Sequence, residues 1–321
     1  MKTPRLGPSA PGQVASRAGC VVPRRGTSVD TSINALVSAV AQGSSFEGKN
    51  PAQVLPRCYL PMTQLTDSER QFAHAGDGAL AIVLVLVLVH LLRLLLEPDI
   101  DFRLVADFAF TPANFSASFA SEDIWRAARM AVERGEASSA EVALLIGLAP
   151  RWWTPLTYSF LHGGFTHIAV NGVWLLAFGT AVCRRFGVVR FLLFYAFAAI
   201  AGALAFYLAH PLGLQPVVGA SAAISGAMGA AVRFAFAPGG PLGGGFAPPR
   251  DLVAYRRPAP SLRALFVDKR TMTFIVLWFV ANFLFGAVAP TGADGASIAW
   301  EAHIGGFLAG FLGFRLFDRP M

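Results

Sequence analysis

The sequence predicts an all-α, polytopic membrane protein: six spanning helices with a long first outer loop. Three observations lead there. The 321 residues are 55% hydrophobic and 14% charged, with a mean hydropathy of +0.54, far from the balance of a water-soluble globule. Apolar runs near the roughly 20 residues that a bilayer-crossing helix needs recur along the chain. Basic residues collect in alternate links between those runs, as loop topology requires.

The first 77 residues are rich in Pro, Ser, Gly and Arg without a sustained period, and Thr31 to Ala41 is at best a short helix. This segment is expected to be cytoplasmic and mostly disordered. It lacks the succession of charged start, apolar core and small-residue cleavage site that marks a secretory signal, and Met62 is an alternative start to Met1.

The membrane domain is expected over residues 78–317, with a short cytoplasmic tail at 318–321. Its six apolar segments run from Gly78 to Leu96, Ser159 to Cys183, Val188 to His210, Gly219 to Ala237, Thr271 to Ala289 and Ile298 to Phe317. The first contains ALAIVLVLVLVHLL, whose Val and Leu alternate as in a strand; its length decides for a helix. His90 and Arg93, near its end, are read as snorkelling side chains.

The link after segment two carries Arg184, Arg185 and Arg190. That after segment four carries Arg250, Arg256, Arg257, Arg263, Lys269 and Arg270, and the C-terminus carries Arg319. The links HPLGLQPVV and PTGADGAS have no Lys or Arg, and the long link from Pro98 to Pro155 is the one outer loop with Arg, offset by its acidic residues. Both termini are therefore expected in the cytoplasm, and the even segments start at the outer face. Within the long loop, residues 98–155, SEDIWRAARMAVERGE has Ser121 at an N-cap position, acids in its first turn and Gly135 as a stop. That helix either lies in the interface, anchored by Trp125, or packs on the loop as a solvated helix.

The net charge of +7 is spread between apolar runs and forms no basic face, which argues against nucleic acid. Cys20, Cys58 and Cys183 are odd in number and far apart, which indicates neither a disulfide framework nor a zinc site. The linker APGGPLGGGFAPPR lacks the GK[ST] of a phosphate-binding loop.

Polar side chains are costly at membrane depth, so each polar constellation inside a span is a candidate site. Three occur, all at the outer starts of even segments. Gly219, Ala220, Ser221 and Ala222 open segment four; a serine among small residues also suits plain helix packing in lipid. Ala302, His303, Ile304, Gly305 and Gly306 open segment six, where a histidine at the depth of Ser221 can take its hydroxyl proton. Gly306 and Gly310 form a GxxxG, and Ala222, Gly226 and Ala230 form the matching small stripe. His162, His167 and Asn171 begin segment two; the last two, four apart, share a helix face and can donate to an oxyanion together with the Ser221 N–H. Metal binding by His162, His167 and His303 is the rival, but there is no HExxH and no carboxylate at ligand spacing. Glu301, two residues from His303, lies about 200° round a helix from it, and Asp294 sits in a turn-like GADGAS, so a dyad is expected.

The order HGGFTHIAVN, GASAAISG, AHIGGFLAG on the second, fourth and sixth of six spans resembles the rhomboid intramembrane proteases. The resemblance implies a Ser221–His303 dyad in a water-filled cavity, with His167 and Asn171 supporting the oxyanion and His162 supporting the loop and site structurally. Gly219 and Gly306 belong to the same motifs. It further implies single-pass transmembrane substrates cleaved near a small residue, no cofactor, and residence in a bacterial inner membrane. Two departures stand out. Ala222 replaces the usual Gly after the serine, and Trp153 is followed by Thr154 where relatives have Arg. The rival readings are an inactive rhomboid-like protein that binds transmembrane helices and, from another class, a solute transporter. Oligomeric state is left open by the sequence.

Overall fold

The computed structural model describes residues 74, 76–117, 121–135, 138–147, 150–237, 239–242, 253–284, 286 and 298–318, all within one compact unit, residues 61–321. The expectations for the N-terminal segment, for Met62, Cys20, Cys58, Asp294 and Arg319, and for most of the Gly-rich linker lie outside these residues.

Among the described residues the structure is helical, and its strand-like pairing is a single antiparallel bridge between Phe110 and Val217. Helix α1 (Asp77–Arg93) is followed by the helices of the long loop: α2 (Pro98–Phe108), α3 (Pro112–Ser116), α4 (Ser121–Glu133) and α5 (Ser139–Ile146). Pro98 and Pro112 each occupy a first helical position, where the missing N–H costs nothing. Helix α5 starts with a capping box: Glu141 N–H donates to Ser138 Oγ at 3.2 Å and Ser138 N–H to the Glu141 carboxylate at 2.7 Å. The second of these bonds holds the Glu141 carboxyl below its usual range. Helix α4 buries Ile124 and Ala128 against Ala113, Val142 and Ile146, so it packs on the loop's own helices while Trp125 stays exposed.

A short turn, α6 (Thr154–Thr157), leads into α7 (Phe165–Phe186), which contains a π-helical turn at Leu175–Gly179. Gly187, at φ +80°, separates α7 from α8 (Val188–Ala209). Helix α9 (Ser221–Val232) is followed by α10 (Val253–Arg256), α11 (Leu262–Val267), α12 (Lys269–Phe283) and α13 (Trp300–Phe317). Asp268 caps α12, accepting from Thr271 N–H at 2.9 Å.

By length and composition, α7 and α8 are the described helices long and apolar enough to cross a membrane. Helix α9 is apolar but spans only 12 residues, about 18 Å of rise. The expected fourth segment therefore loses helical form after Val232. There Arg233 turns inward, is 2% exposed, and donates to the Phe311 carbonyl at 2.8 Å.

Every residue of α9 from Ala222 to Val232 is buried. On one side lies α13, where a Cβ added to Gly306 or Gly310 would collide with the carbonyl of Ala222 or Gly226 respectively. On another lies α8, with Ala198 against Gly226 and Gly202 against Ala222. Small residues thus let three helices pack backbone against backbone, as lipid-embedded helices favour. At the opposite end of α9 from Ser221, Arg185 pairs with Asp318 at 2.8 Å, donates to the carbonyls of Tyr255 and Arg257, and stacks over Phe234 and Phe314.

Arg93 corrects the sequence reading. It does not snorkel: its guanidinium forks onto Asp101 at 2.7 and 2.9 Å and reaches the His162 carbonyl at 2.8 Å. His90 is buried edge-on to Phe165, ring centroids 5.1 Å apart.

Candidate active site

Ser221 is the first residue of α9, and the chain reaches it through a non-helical segment held on both sides. Val217 exchanges two backbone hydrogen bonds with Phe110, at 2.9 and 3.0 Å, and Gly219 N–H donates to the Tyr158 carbonyl at 3.0 Å. Such backbone polar groups are tolerated inside a membrane protein only where protein or a cavity satisfies them. Tyr158 is itself fixed, its hydroxyl donating to the Ala199 carbonyl at 2.9 Å.

His303 stands on the first turn of α13 with Nε2 2.8 Å from Ser221 Oγ. The α9–α13 seam accounts for this proximity, because Gly306 sits against the Ala222 carbonyl one turn below the pair. Both side chains open onto a cavity of about 360 Å³, walled by His167 and Asn171 and by the apolar Val170, Phe206, Val217 and Ile298.

His167 and Asn171 project from the start of α7 toward Gly219. A Cβ built on Gly219 would stand 2.7 Å from His167 Nε2 and 3.7 Å from Asn171 Nδ2. Gly219 also has φ +123°, a conformation that L side chains rarely adopt, so both backbone and neighbours require glycine there. Asn171 is 4% exposed, and among the described residues its Nδ2 has no protein acceptor; it is a buried donor at the cavity wall. His162, 1% exposed, lies behind them with its ring centroid 5.0 Å from that of His167. Its backbone carbonyl, taking Arg93, ties the turn before α7 to α1 and α2.

The structure therefore brings Ser221, His303, His167 and Asn171 to one cavity, sets Gly219 against His167 and Asn171 and Gly306 in the seam beneath, and keeps His162 behind the wall. Glu301 faces away from the pair and contacts His210 at 2.8 Å. Among the described residues no three His, Cys, Asp or Glu side chains converge as a metal site.

One neighbour escaped the sequence reading. Asn282 of α12 places Oδ1 2.7 Å from His303 Nδ1, and its Nδ2 donates to the Trp300 carbonyl at 3.1 Å. The available signal was an amide within the apolar run TFIVLWFVANFLFG, a polar group where one is costly. Arg151, which opens the run Arg151, Trp152, Trp153, Thr154, carries no role in the sequence reading. It pairs with Asp107 at 3.1 Å and donates to the carbonyls of Leu144 and Leu145, while its own N–H donates to Asn114 Oδ1 at 2.7 Å. With Trp153 Nε1 on the Asp107 carbonyl at 2.7 Å, it ties the long loop together from the position before the tryptophans.

Comparison with known proteins bears on this arrangement. A family model described as a Rhomboid domain matches residues 149–319. The chain is 34% identical over 170 residues to the rhomboid protease GluP of Bacillus subtilis (strain 168), covering 53% of this chain and 27% of GluP. It is 29% identical over 169 residues to RHOMBOID-like protein 5 of Arabidopsis thaliana, covering 52% of this chain and 45% of that protein. RHOMBOID-like protein 4 of the same plant is 28% identical over 171 residues, 52% of this chain and 35% of the relative. The chain thus spans less than half the length of these curated relatives.

Proposed function

The chain belongs to the rhomboid family of membrane proteins, and from that premise we propose that it is an intramembrane serine endopeptidase with Ser221 as nucleophile and His303 as general base. The observation that carries the reading is the 2.8 Å contact between Ser221 Oγ and His303 Nε2 at the wall of a cavity that also holds two side-chain donors.

Ser221 Oγ bonds to the scissile carbonyl carbon as its proton passes to His303 Nε2. The carbonyl oxygen, now an anion, takes hydrogen bonds from His167, Asn171 and the Ser221 N–H. As the C–N bond breaks, His303 returns the proton to the leaving amine. Water then repeats the sequence on the acyl-enzyme, releasing the acid and free Ser221. The apolar wall around Val170, Phe206 and Ile298 suits a substrate segment drawn from a transmembrane helix. An unwound segment needs such shelter, because its freed backbone groups find no partner in lipid. The reading places single-pass membrane proteins as substrates, six spans over residues 78–317, and both termini on the side of the Arg-rich links, as in a bacterial inner membrane.

The test is cleavage of a model single-pass substrate by the purified full chain in detergent, beside Ser221→Ala. Product from the wild type alone supports the reading; equal product from both, or none from either, sinks it.

A further inference from the structure

We infer that Asn282 is a positioning residue for the proposed reaction: it holds the His303 imidazole in the tautomer that leaves Nε2 free to accept the Ser221 proton. The inference rests on the serine endopeptidase reading and deepens it.

The argument starts from a backbone carbonyl, which only accepts. The Trp300 oxygen lies 3.1 Å from one end of the Asn282 amide, so that end is the NH₂. The other end is then the oxygen, also only an acceptor, and it lies 2.7 Å from His303 Nδ1. Nδ1 must therefore carry the proton, and in a neutral imidazole Nε2 is left with its lone pair. That lone pair faces Ser221 Oγ at 2.8 Å. The Trp300 carbonyl thus determines, through two side chains, the direction in which the serine donates. Reversing the amide would set NH₂ against Nδ1 and shift the imidazole proton to Nε2, which would then donate to Ser221 Oγ and leave the serine with no lone pair to take its proton.

No carboxylate contact to His303 is found among the described residues; Glu301, the acid nearest in sequence, is engaged with His210. An amide in the orienting position has a distinct consequence. It fixes the tautomer without the charge that would favour the imidazolium. It also lies on α12, whereas the dyad lies on α9 and α13, so a shift of α12 relative to α13 changes the orientation of the base.

The experiment uses the full chain in detergent with a single-pass substrate and, separately, a fluorophosphonate that labels an activated serine. Asn282→Leu keeps the branched outline at a larger volume and removes the acceptor; kcat is expected to fall roughly 10²-fold with KM nearly unchanged, and the unfolding temperature to fall modestly for the two lost hydrogen bonds. Asn282→Asp restores an acceptor, and kcat is expected to return to within about tenfold of wild type, with the acidic limb of the pH profile moved to higher pH because a carboxylate favours imidazolium. Asn282→Leu with wild-type kcat, or Asn282→Asp as slow as Asn282→Leu with an unmoved limb, overturns the inference while leaving the endopeptidase reading intact. A wild-type chain that neither cleaves nor labels overturns both. A measurement that needs no Asn282 variant is histidine ¹⁵N spectroscopy of the wild type, with His303→Gln for assignment. It should show the Nδ1-protonated tautomer at His303, and the opposite tautomer overturns the inference.

Discussion

The methyl group of Ala222 fills the space that a side chain at Gly202 would need: a Cβ built on Gly202 would lie 2.5 Å from the Ala222 Cβ. The alanine beside Ser221, unusual against the rhomboid pattern, thus has its methyl group accommodated by a glycine of α8. Gly202→Ala is expected to destabilise the protein by about 1–3 kcal/mol through overpacking. Adding Ala222→Gly should return part of that loss, the rest remaining because the Ala302 carbonyl also crowds Gly202. Thermal unfolding of the two single variants and the double variant measures the coupling. Strict additivity would show that the two sites do not touch.

Removal of either partner of the Ser221–His303 pair should lower kcat/KM on the order of 10⁴-fold or more, and the double variant should be no worse than the slower single one. Cleavage assays of Ser221→Ala, His303→Ala and the double variant decide. Losses that multiply would mean that the two residues do not act as a unit.

On the proposed mechanism, in which their donors meet charge that develops only in the transition state, His167→Ala and Asn171→Ala should each lower kcat by about 10- to 10³-fold with a smaller change in KM. A rise in KM alone would instead make them substrate-binding groups.

Gly219→Ala is expected to harm activity more than stability. The φ of +123° and the closeness of His167 Nε2 act together, so a methyl there must displace the histidine or the loop that delivers Ser221. The backbone contribution alone is about 1–3 kcal/mol, as for other residues held in sparsely populated backbone regions. Comparing unfolding temperature with kcat separates the two effects.

Arg93→Met leaves Asp101 without its fork and the His162 carbonyl without a donor, at a cost of about 1.5–3 kcal/mol for each hydrogen bond to a charged group. Reduced resistance to unfolding, with KM nearly unchanged, is the expected result.

Much of this site was legible because cost betrays polar groups in apolar runs. Ser221, His303, His167 and Asn171 all interrupt hydrophobic segments, and the Arg-rich links suggested one depth for them. Asn282 interrupts its segment just as plainly, but its partner lies 21 residues away on another helix, and no period on α12 points to it. Arg93 was misread for a related reason: near a helix end, a long basic side chain predicts escape to water, whereas Asp101, beyond the Pro98 turn, folds back onto it. The end of α9 was hidden by composition, since Phe234, Ala235 and Phe236 prolong the apolar run past the last helical turn. The Phe110–Val217 bridge carries no sequence signature, because it is made by main-chain atoms of two loops.

The glycine seam between α9 and α13 also determines how reproducible the dyad can be. Contacts through side chains adjust by rotamer changes, each adding slack to a distance measured across two helices. At Gly306 and Gly310 the backbone of α13 meets carbonyls of α9 directly, so little slack remains to accumulate. The spacing of two groups 82 residues apart in the chain is then inherited from the helix axes themselves. A warmer membrane or a change of detergent should broaden the surrounding loops well before it blurs that spacing.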